Sequence, residues 1–452
     1  MPIVNTIIAA TILSTMVIIA ISKPKLAILI MIAFLIVLGD LRRIVGYYIG
    51  ASNYDPLLLV APLFVMILLF IPNKDFQFKQ TKISKFVIAL MIVMVLQIFN
   101  PIQGGIKIGL AGAIFTIIPL CWFWIGNKYG DLELLKNLLN KIIIPLAIAA
   151  ALLGFYQIFY GFTVFEQNWI DLINFNSLHV GSVMRPFSFF TSPQEYIYFL
   201  LIGLVATVLS YKKNPVFFGI ASILLFAGLF LAAARGGIVM LVLALVSAVA
   251  ISKAKSIVSF IPRFVFTLIL ALLISQPVLT ALNKLEPPSA ISDLYNRQIT
   301  GLSKPLDKES STLVVHLNIV TDGLATALHY PLGMGLGKSG NTGKFGSEVI
   351  NLENDLSLFI TTGILGGVLY LIIVYLVIID SMICWQKSKK EEIFLFTIIL
   401  ISTLLSWLGG LYSISAIIWL AVGVMNKYDN KNENIDTDAI GNPKRRSREI
   451  AS

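Results

Sequence analysis

The sequence predicts an all-α fold, a polytopic transmembrane bundle of about 12–13 spans with one large outer loop that carries an amphipathic helix. Three observations predict it. Hydrophobic residues make up 57% of the 452, charged residues only 13%, and mean hydropathy is +0.86, whereas a soluble domain is about a quarter charged. Apolar stretches of spanning length recur from end to end. The linkers between them alternate sharply in charge.

The elements follow in order. The first stretch, 3–21, lacks a basic leading region and a small-residue cleavage pattern, so it reads as a retained helix and not a signal peptide. Beyond "SKPK" comes 26–39. Stretches 57–71 and 86–99 flank "NKDFQFKQTKISK", and 106–125 and 142–162 flank "NKYGDLELLKNLLNK". Next are 194–210 and, after "YKKNP", 216–234 and 237–251. The stretch 264–281 follows "SKAKSIVSFIPR". After a long polar gap come 356–380, then 393–408 beyond "QKSKKEE", then 411–426 and a basic tail. These boundaries give N-terminal membrane helices over 1–281, a large loop over 282–355, C-terminal membrane helices over 356–426 and a tail over 427–452. The two cysteines, Cys121 and Cys384, lie in or beside apolar segments and suggest neither a disulfide framework nor a metal cluster.

The quoted linkers and the tail hold most of the 34 lysines and arginines. The positive-inside rule places them in the cytoplasm, with the N-terminus outside and the C-terminus inside. The net charge of +10 therefore flanks a membrane and indicates no nucleic-acid partner. One linker runs against the rule: "DLRRIVGYYIG" leaves Arg42 and Arg43 outside.

Arg235 interrupts the uncharged run from Pro215 to Ser252. A charge at the bilayer centre costs at least a few kcal/mol. The run is long enough for two spans, and both of its flanks are cytoplasmic. Its midpoint, "ARGG", is then a tight external turn, with Gly236 and Gly237 supplying backbone freedom. Arg235 is either a snorkelling arginine or a fixed cation for an anionic lipid headgroup.

Two outer segments carry the polar chemistry, 163–193 and 282–355, and they contain all three histidines, His179, His316 and His329. The first ends "VMRPFSFFTSPQEYIYFLL", where Arg185 precedes a helix that Pro193 opens, a natural anion site. The second contains "ESSTLVVHLNIVTDGLATALHYPLGMGLG". Leu313, Leu317, Val320, Leu324 and Leu328 mark one face of an amphipathic helix lying against the bundle. Ser310 or Ser311 caps that helix, and Pro331 stops it. "PLGMGLGKSGNTGKFG" lacks the spacing of a nucleotide-binding loop, although its backbone N–H groups with Lys338 and Lys344 could cradle a phosphate. Glu353 and Asp355 close the loop at the mouth of helix 356–380.

This ordered set resembles the O-antigen ligase and polymerase superfamily, the Wzy-type membrane glycosyltransferases. The matching pieces are "RPFSFFTSP", "ARGG", "TLVVH" followed by "PLGMGLG", and "ENDLSLFITTGILGG", over roughly residues 145 to 425. His316 stands where that family usually has arginine, and Glu353 where its ligases usually have histidine. The resemblance implies a bacterial plasma-membrane enzyme whose working face is extracytoplasmic. Its donor and acceptor are glycans on polyprenyl pyrophosphate, with a flippase and a chain-length regulator as further partners, and it needs no cofactor or metal. Arg185 and Arg235 would hold the pyrophosphate and Glu353 would be the base. His316, Lys338, Arg297, Glu195 and Asp355 are candidate contacts to pyrophosphate or glycan. The glutamate favours a polymerase over a ligase that moves finished glycan to another acceptor. A polysaccharide or lipid transporter would call for internal repeats and paired charges within the spans; neither is seen.

Overall fold

The computed structural model describes residues 2–50, 55–72, 80–173, 178–180, 183–254, 256–304, 313–338, 350, 352, 354–409 and 412–441. The chain is built almost wholly of helix. In order these are α1 (Pro2–Ser22), α2 (Pro24–Ile49), α3 (Leu57–Phe70), α4 (Lys82–Gln97), α5 (Ile106–Tyr129), α6 (Leu132–Asn137), α7 (Ile144–Phe159), α8 (Val164–Ile173) and α9 (Pro193–Leu209). Then follow α10 (Pro215–Leu231), α11 (Arg235–Lys253), α12 (Ile257–Leu282), α13 (Ser292–Ser303), α14 (Leu313–His329), α15 (Leu358–Thr361), α16 (Gly363–Ser388), α17 (Glu391–Ser402) and α18 (Tyr412–Gly441). A π-helical turn, Leu138–Ile143, joins α6 to α7. Among the described residues the only strands are His179–Val180 and Val183–Met184, paired antiparallel.

Each of the apolar stretches expected from the sequence is wholly or largely helical, although 393–408 runs beyond α17 and 356–380 is divided. Seven helical segments are long and apolar enough to cross a membrane: α1, α2, α5, the continuous α6–α7 unit, α11, α12 and α16; α3, α9, α10 and α14 are shorter apolar helices. This is a polytopic all-α membrane fold. Two further helices, α8 and α13, sit inside the polar segments 163–193 and 282–355.

Linkers assigned to one side by charge meet one another in space. Lys25 pairs with Asp131. Lys427 Nζ donates to the carbonyls of Lys128 and Gly130 at the end of α5, and Lys213 Nζ lies 3.4 Å from Glu391. At the other end of the helices Arg42 pairs with Asp55, and Gln97 and Asn100 bond to the carbonyls of Leu332 and Gly333. Small residues bring the central helices together, as membrane packing requires: β-carbons on Gly126 of α5 or Gly423 of α18 would overlap the facing backbone carbonyls of Leu420 or Phe123.

Three local expectations are corrected. The α10–α11 turn is made by Ala232–Ala234, with Ala233 in the left-handed region (φ 52°). Gly236 and Gly237 lie inside α11, where Gly237 serves close packing against Ile197 and Leu229. On α14 the packed residues are Gly323 and Ala327, while Leu313, Leu317, Leu324 and Leu328 stay exposed. In a chain built for lipid, leucine need not turn inward, and small residues permit closer helix contact. The expected cap of α14, Ser310 or Ser311, lies outside the described residues. Finally, no single helix starts at 356: a 3₁₀ turn (Asn354–Ser357) and α15 precede α16, with Gly363 at φ 72°.

Candidate functional site: an apolar cavity headed by three arginines

One cavity of ≈ 1310 Å³ runs between α5, α9, α10, α11, α12, α13 and α14. Its walls are apolar, built from side chains such as Phe226, Met240, Leu243, Leu268, Leu272 and Leu279. Its head is polar: Arg185, Arg235, Arg297, Gln194, Asn354 and His316. The α12 wall is thin, for no residue of α12 is buried. Leu272 and Val278 line the cavity yet are 56% and 50% exposed, so the cavity is open along that helix.

Each arginine arrives from a different segment. Arg185 comes from the aromatic loop before α9. Its Nε donates to the carbonyl of Ala232 at 3.0 Å. Burial and the charge of Arg297 together push its guanidinium down to about 10, so it remains cationic at neutral pH. Arg235 is the first residue of α11, directly after the hairpin turn. Arg297 lies on α13, and its charge acts on both of the others. Like charges held together cost energy, and a dianionic or more highly charged ligand would offset that cost.

The loop that delivers Arg185 is fixed by a buried network centred on Arg43, one of the two arginines that run against the charge rule. Arg43, 3% exposed on α2, donates from Nη1 to Phe190 O and from Nη2 to Ser188 O, both at 2.6 Å. Its guanidinium stacks over Phe187, 4.7 Å from the ring centre, and over Trp169. Gln157 accepts from the N–H groups of Phe187 and Ser188 and donates to Glu166. These bonds hold Ser188 at φ 52°, a conformation that costs energy for a non-glycine residue. Ser192 then caps α9 through Glu195 N–H, with Pro193 in the first turn.

The remaining candidates separate. His316 lines the cavity from α14 and is exposed. Asp355 lines the cavity but spends both oxygens on the protein. It accepts from the N–H groups of Trp407, Leu408 and Gly409 and from the hydroxyl of Tyr370. Burial pushes its carboxyl up, and those four donors pull the other way. Two donors on each oxygen suit the carboxylate, so Asp355 tethers the α17–α18 connection and caps no helix. Glu195 is buried and accepts from the N–H and hydroxyl of Ser413. Lys338 is buried and is not among the cavity-lining residues.

The described part of the glycine-rich turn, 331–338, is no open cradle. Residues 333–338 are buried. Gly333, Met334, Gly335 and Gly337 give their N–H groups to Tyr330 O, Ile360 O, Thr361 O and Gln103 Oε1. Gly335 is required for its φ of 99° and its contact with Gln103. Lys344 and Glu353 lie outside the described residues; the neighbours of Glu353, Leu352 and Asn354, both line the cavity. Among the described residues no group of three His, Cys, Asp or Glu side chains could hold a metal.

Compared with known proteins, the chain matches no family model and no curated sequence.

Proposed function

We propose that this protein is a membrane glycosyltransferase that polymerises polyprenyl-pyrophosphate-linked oligosaccharide repeats at the outer face of a bacterial plasma membrane. The observation that carries the reading is the convergence of Arg185, Arg235 and Arg297 at the head of a cavity whose walls are apolar and open along α12. That form suits a ligand with a highly charged head and a long hydrocarbon tail. A diphosphate linked to a prenyl chain is such a ligand. Guanidinium forks match phosphate oxygens in pairs.

The chemistry follows from the head group. The hydroxyl oxygen of the acceptor glycan bonds to the anomeric carbon of the donor, and the bond from that carbon to pyrophosphate breaks. The polyprenyl pyrophosphate leaves with the electron pair, and the three cations neutralise the charge that develops on it. The hydroxyl proton passes to a base, Glu353 in this reading, which stands one residue from cavity-lining Asn354. His316 faces the same space. Asp355, Glu195 and Lys338 support the walls. The short apolar helices complete a bundle of 12–13 spans, and the basic linkers set the cytoplasmic side.

The test is glycan length in cells lacking the protein. Single-repeat glycan on the lipid carrier supports a polymerase. Long glycan that stays unattached supports the ligase alternative, and unaltered glycan with lost export supports a transporter.

A further inference from the structure

Two of the three cavity arginines meet on one short helix. Arg297 and Gly301 lie four residues apart on α13, hence on one face. Gly301 is buried, and its α-carbon lies directly against Nε, Cζ and Nη2 of Arg235. A β-carbon at 301 would overlap all three atoms. Within reach of a β-carbon there, the nearest atoms all belong to this one guanidinium. Glycine is a poor choice for the interior of a helix, and here it leaves room for a cation.

We infer that Gly301 is a positioning residue: the bare backbone of α13 seats the Arg235 guanidinium beside Arg297, so that α13 sets the spacing of two cations at the cavity head. An arginine side chain is long and has many rotamers. Its end lies against the α13 backbone at Gly301. A methyl group at 301 forces the guanidinium to another rotamer, away from the place where a diphosphate would meet it. The functional half of this inference rests on the diphosphate reading of the cavity; the packing half does not.

A double-mutant cycle on the full-length protein in detergent separates the two halves. First, thermal midpoints are measured for Gly301→Ala, Arg235→Ala and the double variant. Alanine at 301 gains helix propensity but must displace the guanidinium in the wild-type background, so Gly301→Ala should be more favourable, by a few degrees, in the Arg235→Ala background, where the methyl group has the space. If Gly301→Ala does not fold alone, recovery of folded protein in the double variant is the same result. Equal effects of Gly301→Ala in the wild-type and Arg235→Ala backgrounds overturn the seat. Second, binding of geranylgeranyl pyrophosphate is titrated. Arg235→Ala and Gly301→Ala should each weaken it about tenfold or more, and the double variant should be no weaker than Arg235→Ala. A Gly301→Ala protein that binds like wild type while Arg235→Ala does not, or a further loss in the double variant, contradicts positioning. Wild-type binding by Arg235→Ala removes the diphosphate reading, and the thermal cycle still reports on the seat.

Discussion

Arg185 Nε bonds to the carbonyl of Ala232, three residues before Arg235, at 3.0 Å. The aromatic loop and the α10–α11 turn are thereby locked to each other, although almost fifty residues separate them. The carbonyl fixes one edge of the guanidinium and so orients its plane at the cavity head. Replacing Arg185 by lysine keeps a charge but loses the planar fork. Turnover should fall by about 10² or more for Arg185→Ala, the scale on which a single oxyanion contact is measured, and by less for Arg185→Lys. Chain-extension assays at matched protein level check this; equal activity in all three proteins would remove Arg185 from the site.

Because Arg185 is pushed down to about 10, anion binding should depend on pH in a definite direction. Below about 10 the group is charged, and affinity for geranylgeranyl pyrophosphate should be flat from neutral pH upward. Above about 10 the affinity should fall as the cation is lost. The linked stability effect has the opposite sign: between about 10 and the ordinary arginine value the unfolded chain holds the proton that the folded chain has released, so this residue's contribution to stability rises with pH. Arg297→Gln removes the like charge and should move the break in affinity upward. An unmoved break would show that Arg297 does not act on Arg185.

Arg43 should govern both stability and activity. Truncation to alanine leaves the carbonyls of Ser188 and Phe190 without their buried donor, at a cost of about 2–3 kcal/mol or more for charged hydrogen bonds. Trp169 also loses its stacked cation. We expect Arg43→Ala to melt well below wild type and to lose chain extension in the fraction that stays folded, because Arg185 is no longer delivered. Thermal unfolding followed by tryptophan emission, with extension measured in parallel, tests both effects.

The two carboxylates near the loop end should behave oppositely. Asp355→Asn puts an amide NH₂ where two N–H or O–H donors converge, so it should destabilise by about 3 kcal/mol, as when a buried charged network is broken. Glu353→Gln should melt like wild type and lose about 10² in turnover, the scale of general base catalysis. A glutamine variant with normal turnover would take Glu353 out of the mechanism.

Most of the helical architecture was legible in the sequence, because the length and hydropathy of a spanning run are nearly independent of what it packs against. Faces and contacts were not. The α14 leucines read as a buried stripe, but lipid and protein interior are alike in hydropathy, so periodicity alone cannot choose Gly323 over Leu317 as the packed side. "PLGMGLG" has the glycine content of an anion loop; its glycines instead let backbone segments approach, a relation among distant residues such as Gly333 and Gly363. Arg185 and Arg235 were both legible as interface arginines. Arg43 was visible only as an exception to the charge rule, and Gly301 had no local signal, because its meaning lies in a side chain more than sixty positions earlier.

Orientation has its own test. Cys121 and Cys384 are buried, which gives a low labelling background. With a membrane-impermeant thiol reagent on intact cells, or on spheroplasts if an outer barrier exists, Leu285→Cys should label at once. Lys212→Cys should label only after permeabilisation. The reverse pattern would place the three-arginine cavity on the cytoplasmic side.

The most direct measurement is the length distribution of surface glycan in a deletion strain that expresses Arg235→Ala at the wild-type level, compared with the same strain expressing wild-type protein. The account predicts a ladder of long chains with wild type and carrier-linked single repeats with Arg235→Ala. A normal ladder from the Arg235→Ala strain would contradict it, and would leave Arg235 as a snorkelling residue at the start of α11.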